Sequence, residues 1–186
     1  MKYDLNRFVK LTILLGAQVD QEKLFEVILQ EAMIIGNCDA GSIYSLEKDN
    51  YLHFRHMVTK SKKVSLNPGN GAANVEPIPM NKSYACAYAA IERTRLNIPD
   101  INLSADFDFS GAKKYDFHNE YKTKSMLVIP MVVEHGDVMG VLQLINAQDE
   151  AGNTIPFTAQ QEQLVMALGS VSALYIENRK LKGLMN

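Results

Sequence analysis

The chain has 186 residues, 47% of them hydrophobic and 22% charged, and a formal net charge of −2. Such a chain can bury a full core in one globular unit with helical extensions, while 19 basic side chains scattered among 21 acidic ones offer no basic stripe for nucleic acid or an anionic membrane surface. No apolar run approaches the roughly 18 residues of a membrane span, which leaves a small or uncharged ligand as the open class of partner.

The start Met1-Lys2-Tyr3-Asp4 has none of the features of a signal peptide. The two cysteines, Cys38 and Cys86, lie in unrelated segments without CxxC or metal-ligand spacing. Free, buried thiols in a reducing compartment are therefore expected, with no metal and a cytoplasmic location.

Along residues 3–15, Leu5, Phe8, Thr12 and Leu15 recur at three-four spacing, which gives a helix one narrow stripe, a seam more than a core face. Asp20 is placed to cap a second helix, in which Leu24, Val27, Ile28, Ala32 and Ile35 form an apolar face until Gly36 stops it. That helix is expected to lie flat on a sheet. Residues 39–46 and 51–59 read as a hairpin turning at Lys48-Asp49-Asn50. His53 and His56, three apart on a strand, are expected on opposite faces, which argues against a metal pair.

The Gly, Pro and Asn content of residues 61–81 reads as loop, with a short edge strand over residues 76–79. Ser83 is placed to cap a small helix over residues 84–93, whose Ala85, Ala87, Ala89 and Ala90 let its backbone approach a neighbour closely. It reads either as a tightly packing helix or as a helix start with N–H groups free for an anion. Leu96-Asn97-Ile98-Pro99-Asp100 is extended by its proline. Between Ser104 and Lys124, Phe107, Phe109, Tyr115, Phe117 and Tyr121 are interleaved with charged residues. This reads as a long irregular segment folded over one face of the sheet, its rings either anchoring the loop or stacking on a planar ligand.

The apolar runs 125–133 and 138–147, joined by Glu134-His135-Gly136-Asp137, predict a central hairpin. Both parities are apolar, so layers are expected on both faces. Gln143 is the exception; a buried amide without partners costs about 1–3 kcal/mol, so either the core or a ligand must bond it. In the last helix, Thr158 and Gln161 match a capping box. Leu164, Val171, Asn178 and Met185 then fall on heptad a positions and Ala167, Leu174 and Leu181 on d, leaving Val165, Leu168 and Ile176 for the sheet. Asn178 reads either as a register-fixing a residue of a parallel dimer or as part of a frayed polar end.

This order of elements resembles the GAF domain family of ligand-binding sensor modules. Three blocks carry the resemblance: Leu96-Asn97-Ile98-Pro99-Asp100, the run from Tyr121 through Leu127 to Pro130, and Gly140 through Asn146 followed by Phe157. It implies an α/β (α+β), GAF/PAS-like fold, with a central six-stranded antiparallel sheet, terminal helices on one face, and a small helix and long loop covering a ligand pocket on the other. It divides the chain into an N-terminal dimerisation helix (1–18), a GAF domain (19–176) and a C-terminal signalling-helix extension (177–186). A homodimer through the terminal helices is implied, with Leu164, Val171, Leu174, Asn178 and Leu181 in its seam. The signal would pass to an output domain outside this chain, such as a histidine kinase, a nucleotide or diguanylate cyclase or an HD-GYP phosphodiesterase of the bacterial type.

The pocket positions of the family's cyclic-nucleotide-binding members fall on Ser42, Tyr84, Ala85, Asp116, Asn119, Thr123 and Gln143, which implies a small-molecule ligand such as a cyclic nucleotide. Members that bind a cyclic nucleotide carry a signature of Asn-Lys, Phe, three residues, Asp-Glu. Here Asn146-Ala147, Phe157 and Gln161-Glu162 keep the Asn, Phe and Glu but lack the Lys and Asp that pair in those members. No enzyme is expected within the chain. Two alternatives stand beside the sensor: a dimerisation module with a filled pocket, and a reductase of free methionine sulfoxide, which uses a set of cysteines. Neither Cys86 nor His118 has the context of a bilin-attachment or haem-ligating residue.

Overall fold

The computed structural model describes residues 13–17, 20–70 and 75–183. Residues 13–17 are helical and Leu15 is fully buried, whereas Leu5, Phe8 and Thr12 of the expected seam lie outside the described residues. Helix α1 (Gln21–Ile35) starts at Asp20, whose carboxylate accepts hydrogen bonds from the Glu22 and Lys23 N–H groups. Its C-cap is Gly36, and the left-handed turn beyond it falls on Asn37 (φ 41°). Strands β1 (Cys38–Leu46) and β2 (Tyr51–Thr59) form the first hairpin, followed by β3 (Val64–Leu66) and β4 (Ile78–Pro79). Helix α2 (Ala85–Glu92), β5 (Leu96–Ile98) and helix α3 (Ser110–Asn119) lead to the central hairpin of β6 (Met126–Val132) and β7 (Val138–Gln148). The described chain closes with β8 (Thr154–Ile155) and the long α4 (Ala159–Leu181).

All pairings are antiparallel, in the order β3-β2-β1-β7-β6-β5. The sheet has eight strands instead of the six expected, because β4 and β8, two residues each, add to the flanks of β2 and β7. At its centre the alternation works as the apolar parities predict. Leu127, Ile129, Leu142 and Leu144 point to a core beneath α1 and α4, while Met126, Val128 and Val141 point to a second core beneath α2. Each of those seven side chains is at most 1% exposed, and burying one stabilises the fold by roughly 1.5–3 kcal/mol.

Three local expectations need correction. The segment from Ser104 to Lys124 is not irregular throughout: residues 110–119 form α3, which the sequence hid because none of its residues is buried and no apolar stripe marks its period. Ser83 does not cap α2. The N-cap is Tyr84, which makes no side-chain cap bond, and the Ser83 N–H instead donates to Asn81 Oδ1 at 3.0 Å. Finally, His53 and His56 share a face. A bulge at Arg55 sets His53 opposite Ser45 and His56 opposite Ile43, two residues of equal parity on β1. They still serve separate roles: His53 Nε2 meets Asp49 at 2.8 Å and His56 Nε2 meets Ser65 Oγ at 3.2 Å. Among the described residues no group of three or more His, Cys, Asp or Glu is placed to hold a metal.

Two predictions follow from packing and burial. Gly140 lies where β7 crosses β1, and a Cβ there would sit 2.0 Å from the Tyr44 carbonyl oxygen, a backbone atom that cannot rotate away. Gly140→Ala should cost about 3 kcal/mol or more in urea unfolding. His56 is 4% exposed, and burial lowers its pKa against the upward pull of Glu26 and Glu22, with Lys23 adding to the lowering. The unfolded chain therefore takes up a proton near pH 6.5 that the native state resists, so stability is lost as pH falls below about 6.5. Urea midpoints at pH 7.5 and 5.5 should show this loss, reduced in His56→Gln.

Candidate functional site

Between the sheet and α3 lies a chamber of about 310 Å³, and beside it, under the start of α2, a second of about 290 Å³. They adjoin at Gln143, Ile78, Gly111, Ala112 and Glu76, residues that line both. The first is built on the alternation of β1, which aims Ala40, Ser42 and Tyr44 away from the helical layer. From β2, Phe54, Met57 and Thr59 complete its floor, and Tyr115, Tyr121 and Thr123 close it from the α3 side. The second is lined by Tyr84, Ala85, Cys86, Asp108 and Met126 together with Gln143.

The seven expected pocket residues divide. Ser42, Thr123 and Gln143 line the first chamber; Tyr84, Ala85 and again Gln143 line the second. Ser42 and Gln143 are direct cross-strand partners of β1 and β7, which sets their Cβ atoms roughly 5 Å apart. The Gln143 amide donates to the Met126 sulfur at 3.3 Å, and a thioether is a weak acceptor. Asp116 and Asn119 line neither chamber. Asp116 accepts from the Thr123 N–H and hydroxyl, both at 2.8 Å, and Asn119 donates to the Tyr115 carbonyl at 2.9 Å. They position the cover and do not face the cavity.

Hydrogen bonds from three directions hold α3 and the segment after it over the chamber. Tyr115 Oη and Thr59 Oγ1 are 2.8 Å apart, and Tyr121 Oη accepts from Asn146 Nδ2 at 3.0 Å. Burial, together with an Asp39 hydrogen bond, raises the Tyr121 pKa far above its ordinary value, so the phenol stays neutral. Asn146 sits in the left-handed region (φ 58°), bonding both the Lys124 N–H and the Lys122 carbonyl at 2.8 Å. The signature remnants thus have structural work here. Asn146 fixes the cover, the Phe157 carbonyl accepts from Asn97, and Glu162 bonds Asn97 and Arg95. Where the Lys and Asp are missing, Ala147 is fully buried, and Gln161 completes the α4 capping box and donates to the Gly36 carbonyl at 2.8 Å.

Sequence reading missed Tyr44, Phe54 and Thr59. Tyr44 was within reach, since it stands two residues from Ser42 and period 2 puts both on one face; Thr59 was hidden by the bulge, which shifts the parity of β2 beyond Arg55. The thiols sit on opposite sides of the sheet, Cys38 in the core beneath α1 and α4 and Cys86 by the second chamber, and burial pushes both up to about 12. On α4, Val165, Leu168 and Ile176 are fully buried against the sheet layer. Of the seam residues, Leu174 (53%), Leu181 (81%) and Asn178 are exposed, whereas Leu164 and Val171 are half-buried against the core.

The family model described as "GAF domain" matches residues 20–176. The fold is similar to that of the GAF domain from an Acinetobacter phosphoenolpyruvate-protein phosphotransferase (TM-score 0.72, 15% identity, covering 98% of each chain). It is also similar to the GAF domain from a phosphoenolpyruvate-protein phosphotransferase of Coxiella burnetii (0.73, 15%, 97% of this chain and 96% of that one). A third similar structure is the free methionine-R-sulfoxide reductase from Neisseria meningitidis in complex with its substrate (0.65, 11%, 94% and 88%). At these identities the likeness is one of fold. No curated protein matches the sequence.

Because α3 buries no residue, its closure rests on the bonds at its ends, chiefly Asp116 to Thr123. A hydrogen bond to a charged group contributes about 1.5–3 kcal/mol, so Asp116→Ala should speed amide exchange across residues 110–123 by about tenfold or more. Exchange in β6 and β7, measured in the same experiment, should stay unchanged.

Proposed function

Because the chain belongs to the GAF domain family, a sensory and regulatory fold found in signalling proteins, we propose that it binds a small molecule between sheet and α3 and passes the change along α4 to an output domain. The Ser42 and Gln143 pair carries this reading: two polar side chains stand side by side in a mostly apolar chamber, and the amide has only a thioether to bond. The family's ligand-binding positions at Tyr84 and Ala85 line the adjoining chamber, while Asp116, Asn119 and Thr123 form or support the cover. No lysine, arginine or histidine among the described residues lines either chamber to meet the phosphate of a cyclic nucleotide, which leaves the uncapped start of α2 beside the second chamber as the group that could.

Output through α4 is favoured by how the helix is tied. Its first turn bonds β5 through Glu162 and Asn97, and near its end Lys180 donates to the Leu46 carbonyl at 2.9 Å, beside Glu47. Between these ties Gly169 lets the helix rest on β6, where a Cβ would lie 3.1 Å from Ile129. Strand β1 carries Ser42 and Tyr44 of the chamber on one face and ends at Leu46, so ligand contacts and the α4 tie share one element. We assign residues 19–176 to the GAF unit and the exposed Leu174, Asn178 and Leu181, with Leu164 and Val171, to the seam of a homodimer; the dimerisation helix expected over residues 1–18 and the end of the extension expected over 177–186 fall largely outside the described residues. Among the described residues no helix is long and apolar enough to cross a membrane, and a cytoplasmic location suits the two free thiols. The reductase reading has less support, because Cys86 is the one thiol beside the chambers and Cys38 lies across the sheet.

Native mass spectrometry of the purified protein tests the sensor reading. A co-purified small molecule, lost in Gln143→Leu, is the expected result, and a wild type that retains no compound under any preparation argues for the filled dimerisation module. For the seam, Leu174→Asp buries an unpaired charge only if the dimer forms. Sedimentation should show a wild-type dimer at tens of micromolar and a monomeric variant whose own stability changes by no more than about 0.5 kcal/mol. A monomeric wild type overturns the seam.

A further inference from the structure

Resting on the reading of the first chamber as a ligand site, we infer that its ligand is an uncharged planar heterocycle that presents a hydrogen-bond donor and acceptor side by side, as the edge of a free nucleobase does. Charge sets the first limit. Glu76 is the one ionised side chain among the described lining residues, and it is exposed at the rim. A phosphate or carboxylate would be taken out of water with no cation to meet it, which is strongly unfavourable, and an ammonium group would find only a solvent-screened partner.

The polar groups set the second limit. Thr59 is engaged by Tyr115, Thr123 by Asp116 and Tyr121 by Asn146, all within the protein. What faces the chamber with the most capacity to spare is the Gln143 carboxamide, bonded only weakly to sulfur, and beside it the Ser42 and Tyr44 hydroxyls, whose one side-chain bond is to each other. A carboxamide offers one donor and one acceptor in a plane, and the group that satisfies both at once is an adjacent acceptor and donor on a rigid ring, the pairing by which Gln and Asn read a base edge.

Walls and volume agree. Tyr44 and Phe54 meet edge to face at 6.1 Å and Tyr115 and Tyr121 at 5.9 Å, so two aromatic pairs border the space in which a flat ring would lie. A chamber of 310 Å³ equals about ten waters by liquid volume, at roughly 30 Å³ each. That is room for a one- or two-ring heterocycle within the first chamber alone.

The test is calorimetric titration and thermal shift of the purified chain with uracil, adenine, hypoxanthine and xanthine, each beside its nucleoside monophosphate, and the purines beside the 3′,5′-cyclic monophosphates. At least one free base should bind, with its phosphorylated forms at least tenfold weaker. Gln143→Leu should weaken that base at least tenfold while unliganded melting stays at or above wild type, and Ser42→Ala should weaken it less. A nucleotide that binds as tightly as its base, or a base whose affinity survives Gln143→Leu, overturns the inference. If no base binds but native mass spectrometry finds a co-purified compound of other chemistry, the ligand class is wrong and the sensor reading stands; if neither is found, both fall.

Discussion

Strand β7 is buried on both faces, and the rest of the molecule is arranged to make that possible. Leu142 and Leu144 on one side require the layer of α1 and α4, and Val141 on the other requires α2. Gln143, the polar residue on the α2 side, is half-buried and opens on the chambers opposite Ser42 of β1, so the apolar rule is relaxed where β7 meets β1. From this follow the chamber and the need for a cover. α3 is a helix without a core of its own, held by tyrosine hydroxyls and by Asp116 because there is little apolar area to hold it otherwise.

Much of this was legible in the sequence where a period or a cap left a strong mark. The α1 cap at Asp20, the Thr158 and Gln161 capping box, the first hairpin and both faces of the β6–β7 hairpin stand where alternation and capping chemistry put them. Elements whose stability is not written in an apolar pattern were harder to read. α3 mixes lysines, acids and rings with no stripe, so its helical period is silent. The Arg55 bulge shifts the parity of half a strand, a change that no count of residues reveals without the partner strand in view. The residues that match the family's pocket positions divided in the same way. Those on the sheet, Ser42 and Gln143, face the chamber because strand geometry fixes them, whereas Asp116 and Asn119, on a surface helix, turned to local bonds.

The family signature illustrates how a motif persists when its original pairing is gone. Asn146, Phe157 and Glu162 each hold one piece of backbone or one neighbouring side chain, and none of those bonds depends on the Lys and Asp that this chain lacks. Gln161 takes over at the start of α4 by tying it to the end of α1, joining the two helices of the layer through a neutral bond.

Strand β2 has a consequence for how that helical layer is wetted. On the face it turns to the layer, His53 and Arg55 line the end of the helix–sheet interface near Leu46 with nitrogen-rich side chains, Arg55 lying over the Phe25 ring and bonding Ser45 and Glu47. An open cleft of about 1070 Å³ enters there, bordered by Lys180 of α4. Toward the start of α4 the same interface is dry, with Val165 and Leu168 fully buried. Polar bonds thus hold both ends of α4, those of Gln161 and Glu162 at its start and that of Lys180 at its end, with Val165, Leu168 and Ile176 fully buried between them.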